Sequence, residues 1–489
     1  MSFHYFQKKL NLFQHPFRLH PLRSHTGFLE HTTMSHINMQ KAARAIRTIK
    51  AKNAIEKVLK KELMKRNGGF CFTQDDSSET RPIRADIFKS SQIQQAKDLE
   101  VLRQGYSSLF PNQINFGNHI VESFANDRSL FNVLAVALTQ SGKTGSMLSV
   151  IHNCVKQFNT PLDHCFVITG YSSKLWIDQT KERMPKEMHA NIFHRNTLKQ
   201  FVQKCIHKKN VLIITDETHI ASLHAQALHK AFKQLSVFDL KHVYDSDIKL
   251  VHFTATPDGI AANLSKWKFG HKTCIMTPPS TYISPFHLLD QNRILQAKDL
   301  CGFDKDGTLK NADVYDNIKE ILQHISINIP KYHLIRTQNG GLHQQTIRNF
   351  EKAFDGYDFE FRSETTIPSL DNLMKIAPKK HTFIFIKEKL RCAKTVIKTY
   401  LGILYERHVK NFNDSAVVQG FVGRLTGFHE NTSSVVFSNI PSIEKYRLFW
   451  QQQFSYNSLL YHDQEIPKWN SISTIKRPPH AKISAFFAF

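Results

Sequence analysis

Short, nearly unbroken apolar runs alternate along this chain with longer amphipathic stretches, and that alternation decides the fold class. Phe131–Leu138, His164–Thr169, Asn191–His194, Val211–Thr215, Lys249–Phe253 and Thr273–Met276 are all of strand length. A strand with one wet face alternates apolar and polar residues, whereas a run that is apolar throughout is covered on both faces, as in a parallel sheet between helices. The pattern breaks at Pro278-Pro279 and restarts with Tyr332–Arg336, Phe359–Phe361, Phe383–Ile386 and Val435–Phe437, separated by helices such as Ala393–His408. The chain is therefore expected to be α/β, with two tandem domains built on parallel sheets. The expected divisions are a basic, partly helical N-terminal extension over 1–100, the two domains over 101–278 and 279–475, and a C-terminal tail over 476–489.

Charge narrows the partners. Of 489 residues, 65 are lysine or arginine and 41 aspartate or glutamate, a net charge of +24 with histidine neutral. Folding needs no such excess. It suits a polyanion, most simply nucleic acid, bound with strong salt dependence. No apolar stretch approaches the ~18 residues of a helical membrane span, so an integral membrane protein is not expected. Seven cysteines without a C-x-x-C pair read as buried small side chains in a reducing, intracellular compartment rather than as disulfides or a zinc site. Up to Glu56 only Glu30 is acidic, while Lys8, Lys9, Arg18, Arg23, Lys41, Arg44 and Arg47 accumulate. That composition fits a mitochondrial transit peptide over 1–33, although Pro16 and Pro21 interrupt any early helix and Met34 offers another start. Met39–Arg66 reads as a basic amphipathic helix, either packed on the body or in contact with nucleic acid.

Chemistry concentrates at strand ends. Phe131–Leu138 leads into Thr139-Gln140-Ser141-Gly142-Lys143-Thr144 and then a helical stretch to about Phe158. A glycine turn between a buried strand and a helix presents backbone N–H groups to phosphate oxygens; Lys143 would reach the β- and γ-phosphates and Thr144 would hold Mg²⁺. Val211–Thr215 ends in Asp216-Glu217-Thr218-His219. Such a pair alone marks a helix start, but beside a phosphate loop Asp216 would coordinate Mg²⁺ and Glu217 would deprotonate a water. Phe253-Thr254-Ala255-Thr256-Pro257 sets two hydroxyls at a third strand end, where they form a turn or link the nucleotide to a moving domain. In the second unit, helical spacing across Gln419-Gly420-Phe421-Val422-Gly423-Arg424 puts Gln419 and Gly423 on one face with Arg424 adjoining. An arginine reaching across a cleft stabilises a transferred phosphoryl group. Lys387, Lys389, Arg391 and Lys394 cluster where a strand hands over to a helix, as a grip on nucleic-acid phosphates or a solvated helix start. Trp450 and Trp469 read as packing residues.

In this order the elements resemble the motifs of the superfamily 2 helicases and translocases, over about residues 105 to 460. The phosphate loop, Phe383–Thr395 and Gly423-Arg424-Leu425-Thr426-Gly427 look closest to helicase-like proteins of large DNA viruses and some phages. The resemblance implies two RecA-like domains with ATP and Mg²⁺ between them and nucleic acid, DNA rather than RNA, across both. Position by position it places Gln140, Ser141, Gly142, Lys143 and Thr144 in the ATP loop, and Gln113 at an adenine-reading glutamine. It makes Asp216 and Glu217 the metal-binding and catalytic carboxylates. His219, Thr254, Thr256 and Gln419 fall at coupling positions, and Arg424 at the arginine finger. The final motif departs from the family pattern in the spacing from Gln419 to its Gly-Arg pair and in having Gly427 where a second arginine is usual. The function implied is an ATP-dependent helicase or translocase, viral in kind and acting in a host cell or virion, with a mitochondrial location as the alternative. Two rivals stay open: a double-strand translocase or motor subunit of a larger nuclease, replication or transcription complex, and an idle nucleic-acid-binding module. Intact Lys143, Asp216, Glu217 and Arg424 speak against the second.

Overall fold

The computed structural model describes residues 80–217, 226–257, 270–303, 311–387, 395–409, 412–428 and 433–454, with side chains from residue 90 onward except at residue 175. The helix expected over 39–66, the C-terminal tail, His219, Lys389, Arg391, Lys394 and Trp469 lie outside the described residues.

The apolar runs form two six-stranded sheets. The first contains β1 (Asn132–Val136), β2 (Cys165–Thr169), β3 (Ile192–Phe193), β4 (Val211–Asp216), β5 (Ile248–Thr254) and β6 (Lys272–Ile275), in the order β3-β2-β4-β5-β1-β6. The second contains β7 (Ile294–Gln296), β8 (Tyr332–Arg336), β9 (Glu360–Ser363), β10 (Thr382–Ile386), β11 (Leu401–Tyr405) and β12 (Val435–Ser438), in the order β7-β12-β11-β8-β10-β9. Every pairing within them is parallel. This is the α/β architecture of two parallel sheets in tandem that the RecA-like expectation requires, and both sheets lie within one compact unit, Arg84–Phe489.

Two-sided burial explains the unbroken apolar runs. Along β1 and its extension, Val133, Ala135 and Ala137 pack with Ile120, Ile151 and Phe253. The alternate residues Leu134, Val136 and Leu138 join a core shared with Tyr282, Phe421, Leu425 and Tyr446 of the second half. Each fully buried aliphatic side chain of this kind contributes about 1.5–3 kcal/mol, so the strand that ends in the phosphate loop is among the most firmly held segments. Register brings the motifs to one sheet edge: Val136 lies opposite Thr254, and Asp216 opposite Phe253.

One expected helix is absent. Within Ala393–His408 the chain instead forms β11, a buried strand between β8 and β12. Five consecutive apolar or glycine residues fit either period, and tertiary pairing decides for the strand. Gly402 is needed there because a Cβ would come within 2.7 Å of the His333 ring, whose Nδ1 accepts from Ile403 N at 3.1 Å. The three-residue edge strand β7 was not signalled by its sequence. The five described cysteines are free and buried, and burial pushes the Cys154 and Cys205 thiols up to about 12, which leaves them unreactive. Trp450 packs against Phe286, Tyr446 and Phe454, as a packing residue should. Among the described residues no helix is long and apolar enough to cross a membrane.

Candidate functional site

β1 runs through Ala137 and Leu138 into a tight turn, with Gln140 at φ +57° and Gly142 at φ +101°, before the 16-residue helix Lys143–Phe158. No side chain caps that helix, so its first N–H groups are left to a ligand. Gln113 closes over the turn: its Oε1 accepts from Phe110 N at 3.0 Å and its Nε2 donates to Gly142 O at 3.3 Å. A Cβ on Gly142 would lie 2.2 Å from Gln113 Nε2, and one on Gly145 would lie 2.5 Å from its Cδ. Gly142 is required by its left-handed conformation, and Gly145 leaves the room that the Gln113 amide occupies. Ser141 turns inward, its N–H and hydroxyl both donating to Leu138 O. It shapes the turn and does not line the cavity.

At the end of β4, Asp216 accepts from Trp176 Nε1 at 2.9 Å and from Glu217 N at 3.0 Å. Burial, reinforced by the neighbouring Glu217 charge and opposed by Lys143 and the Trp176 bond, pushes the Asp216 carboxyl up to about 6. Glu217 stands at φ +51°, a left-handed conformation costing about 1–3 kcal/mol that clusters at functional sites. Its Oε1 comes within 3.9 Å of Lys143 Nζ. Loop and carboxylates therefore face each other, as their sequence spacing alone could not show.

The second half supplies the opposite wall. Val418–Val422 is a kinked segment between two short α segments, with Gly420 at a non-helical ψ of −135°. The kink at Gly420 interrupts the helix, so Gln419 and Gly423 do not share the one regular helical face that their spacing predicts. Gln419 Nε2 donates to Thr256 Oγ1 at 2.7 Å, a buried bond joining the halves. Thr256 N in turn donates to Thr254 Oγ1 at 3.1 Å. Thr139 Oγ1 lies 3.0 Å from Thr426 Oγ1, Tyr282 OH donates to Thr139 O, and Tyr446 OH donates to Ala255 O at 2.6 Å. A Cβ on Gly423 would be 3.1 Å from Thr139 Cγ2, so glycine lets this segment approach the phosphate loop.

Between these walls lies a cavity of about 1000 Å³. Gln113, Gln140, Gly142, Lys143, Thr144, Asp216, Glu217, Gln419 and Arg424 all line it. Thr254, the last residue of β5, Thr256, and Lys387, which follows β10, do not line it. Sequence reading missed Phe110, Trp176, Arg183, Lys398 and Phe428, which also line it. Only Phe110 carried a signal, through its place just before Gln113. The Phe110 and Phe428 rings, one from each half, stack with centroids 5.8 Å apart. Gln140 Nε2 and Gln419 Oε1 are buried and make no hydrogen bond among the described residues. Cations, an uncapped helix start and the unpaired Gln140 Nε2 donor fit a phosphate chain. Among the described residues no cluster of three or more His, Cys, Asp or Glu would hold a metal alone. A cation at Asp216 and Thr144 would therefore complete its shell with phosphate oxygens and water, the habit of Mg²⁺.

No protein-family model matches the chain. The uncharacterized protein L594 of Acanthamoeba polyphaga mimivirus is 26% identical over 336 residues, covering 62% of this chain and 79% of its own length. Among solved structures, S. cerevisiae Dbp5 bound to RNA and ADP BeF3 is similar at 12% identity and TM-score 0.41, covering 71% of this chain and 92% of that one. Mycobacterium smegmatis helicase Lhr bound to ssDNA and AMP-PNP is similar at 12% identity and TM-score 0.40, covering 72% of this chain and 50% of that one. The Escherichia coli DEAH/RHA helicase HrpB is similar at 15% identity and TM-score 0.40, covering 67% of this chain and 43% of that one. The chain thus spans half of Lhr and less than half of HrpB. Lhr and HrpB are helicases, and the sequence relative is viral. At such TM-scores the functional reading stands on this chain's own residues.

Proposed function

We propose that the protein is an ATP-dependent nucleic-acid helicase or translocase whose ATP site is the cavity between its two sheets. The observation that carries this is shared ownership of one cavity: phosphate loop and carboxylates from the first half, Gln419 and Arg424 from the second. A nucleotide bound there touches both halves, so its hydrolysis changes how they meet.

Lys143 and the N–H groups opening its helix bind the phosphate chain. Asp216 and Thr144 would hold Mg²⁺, which when bound neutralises charge on the β- and γ-phosphate oxygens. Glu217, turned toward Lys143, orients the attacking water and accepts its proton. Arg424 reaches the phosphates from the far wall only when the halves meet, so it stabilises the transition state more than the ground state. The Gln419–Thr256 bond records closure, and its loss and recovery would pass the motion to bound nucleic acid. The charge of +24 supplies affinity for that polymer, with Lys387, Lys389, Arg391 and Lys394 as its proposed contacts. The mimivirus relative supports a viral protein, and DNA as the polymer is part of the proposal.

ATPase activity measured with single-stranded DNA, duplex DNA and RNA in turn, alongside strand displacement, tests this reading. Stimulation by single strands together with displacement supports a helicase, whereas stimulation by duplex alone supports the double-strand motor. ATP turnover indifferent to all three polymers overturns both.

A further inference from the structure

We infer that Tyr446 is a positioning residue that couples closure of the two halves to the nucleotide site by holding the turn at Ala255. The inference rests on the function proposed above. Tyr446 lies on the helix Ile440–Gln451, later in the chain than every residue that lines the cavity. Its ring is buried among Phe286, Trp450 and Phe454, contacts that a phenylalanine would make as well. The hydroxyl is what differs, and it donates to Ala255 O of the first half at 2.6 Å. A buried hydroxyl is costly unless it is hydrogen-bonded, and this acceptor is in place only while the halves meet. Burial, with Tyr282 and Glu217 nearby, pushes the phenol well above its ordinary value, so it stays a donor.

The surrounding contacts tie this bond to the cleft. Ser442 and Lys445 share a helix face with Tyr446, and both bind Asp414. Ser442 Oγ donates to Asp414 Oδ1, and Lys445 Nζ donates to Oδ2 at 2.9 Å. Asp414 opens the short helix Asp414–Val417 that leads to Gln419. Gln419 in turn holds Thr256, the residue after Ala255. Tyr446 and Gln419 therefore grip adjacent residues of one turn, from two elements anchored on one buried carboxylate. On the far side of that turn, Thr254 O accepts from Ala137 N at 3.0 Å, where β1 runs into the phosphate loop. A displacement of the turn at Ala255 is passed toward the loop through that bond.

ATP hydrolysis stimulated by single-stranded DNA, measured on wild type, Tyr446→Phe, Gln419→Leu and the double variant with thermal melting of each, tests this. Tyr446→Phe should lower kcat about fivefold or more while KM for ATP stays within about twofold of wild type. In the double variant the loss should be smaller than the product of the two single losses, because both bonds hold one turn. Unchanged kcat in Tyr446→Phe overturns the inference, as do a loss carried by KM and single losses that simply multiply. Should Tyr446→Phe not fold, hydrogen exchange on wild type decides. ATPγS with single-stranded DNA should slow exchange in the segment 250–256 and in the helix Ile440–Gln451 together. Slowing in one of them alone, or in neither, refutes the coupling. Wild type that hydrolyses no ATP would instead refute the function proposed above.

Discussion

Lys143 shows how single residues divide between stability and chemistry. It opens a helix, its side chain is 12% exposed, and its Nζ approaches Glu217 at 3.9 Å. Lys143→Ala should therefore leave melting nearly unchanged while lowering ATP turnover by at least about a hundredfold, the scale of losing one preorganised charge contact. Equal turnover would remove the loop from the site. Gln419→Leu breaks a buried bond between the halves and leaves Thr256 without that donor. It should reduce nucleic-acid-stimulated turnover about tenfold, about 1.4 kcal/mol, with ATP-analogue binding retained. Parallel losses of binding and turnover would make Gln419 a nucleotide ligand instead of a link. Residues inside continuous motifs, such as Lys143, Asp216 and Arg424, were legible in sequence because each motif carries its own spacing. Trp176, Tyr282 and Lys398 were not, because each acquires its partner only when distant segments meet.

Elements were legible where burial imposes a period. Ten strands announced themselves as apolar runs, since a strand covered on both faces has no polar alternative. β11 was misread because five residues are too few to tell a strand from a turn and a half of helix, and β7 is shorter still. The fold also carries buried imidazoles whose titration is predictable: His252 and His333 on strands, His343 on a helix and His381 just before β10. Burial lowers His252 to about 3 and His343 to about 4, and it lowers His333 and His381 as well. These groups stay neutral in the fold but take up protons when unfolded, below about pH 6.5. Their contribution is whole above that pH and is lost as pH falls toward 4. Asp216, raised to about 6, acts in the opposite sense but is a single group. Melting temperature should thus fall between pH 7 and pH 5, with net proton uptake on unfolding. A flat profile over that range would show that the imidazoles are not held neutral.

At the scale of the molecule, the first sheet's half is held to the second by Thr139–Thr426, Tyr282–Thr139 and Gln419–Thr256 bonds. Arg424→Ala should leave ATP-analogue binding within a few-fold of wild type but lower stimulated turnover by about two orders of magnitude or more. Arg424→Lys should rescue poorly, because a point charge cannot reproduce the planar fork. The central claim is that nucleotide and polymer act on the same two-part cleft. It is tested most directly by steady-state ATP hydrolysis at low salt with and without saturating single-stranded DNA. The account predicts turnover at least about tenfold higher with the polymer, and loss of that stimulation as salt rises and phosphate contacts are screened. ATP hydrolysis that is absent, or that proceeds at the same rate with and without the polymer at every salt concentration, would contradict it.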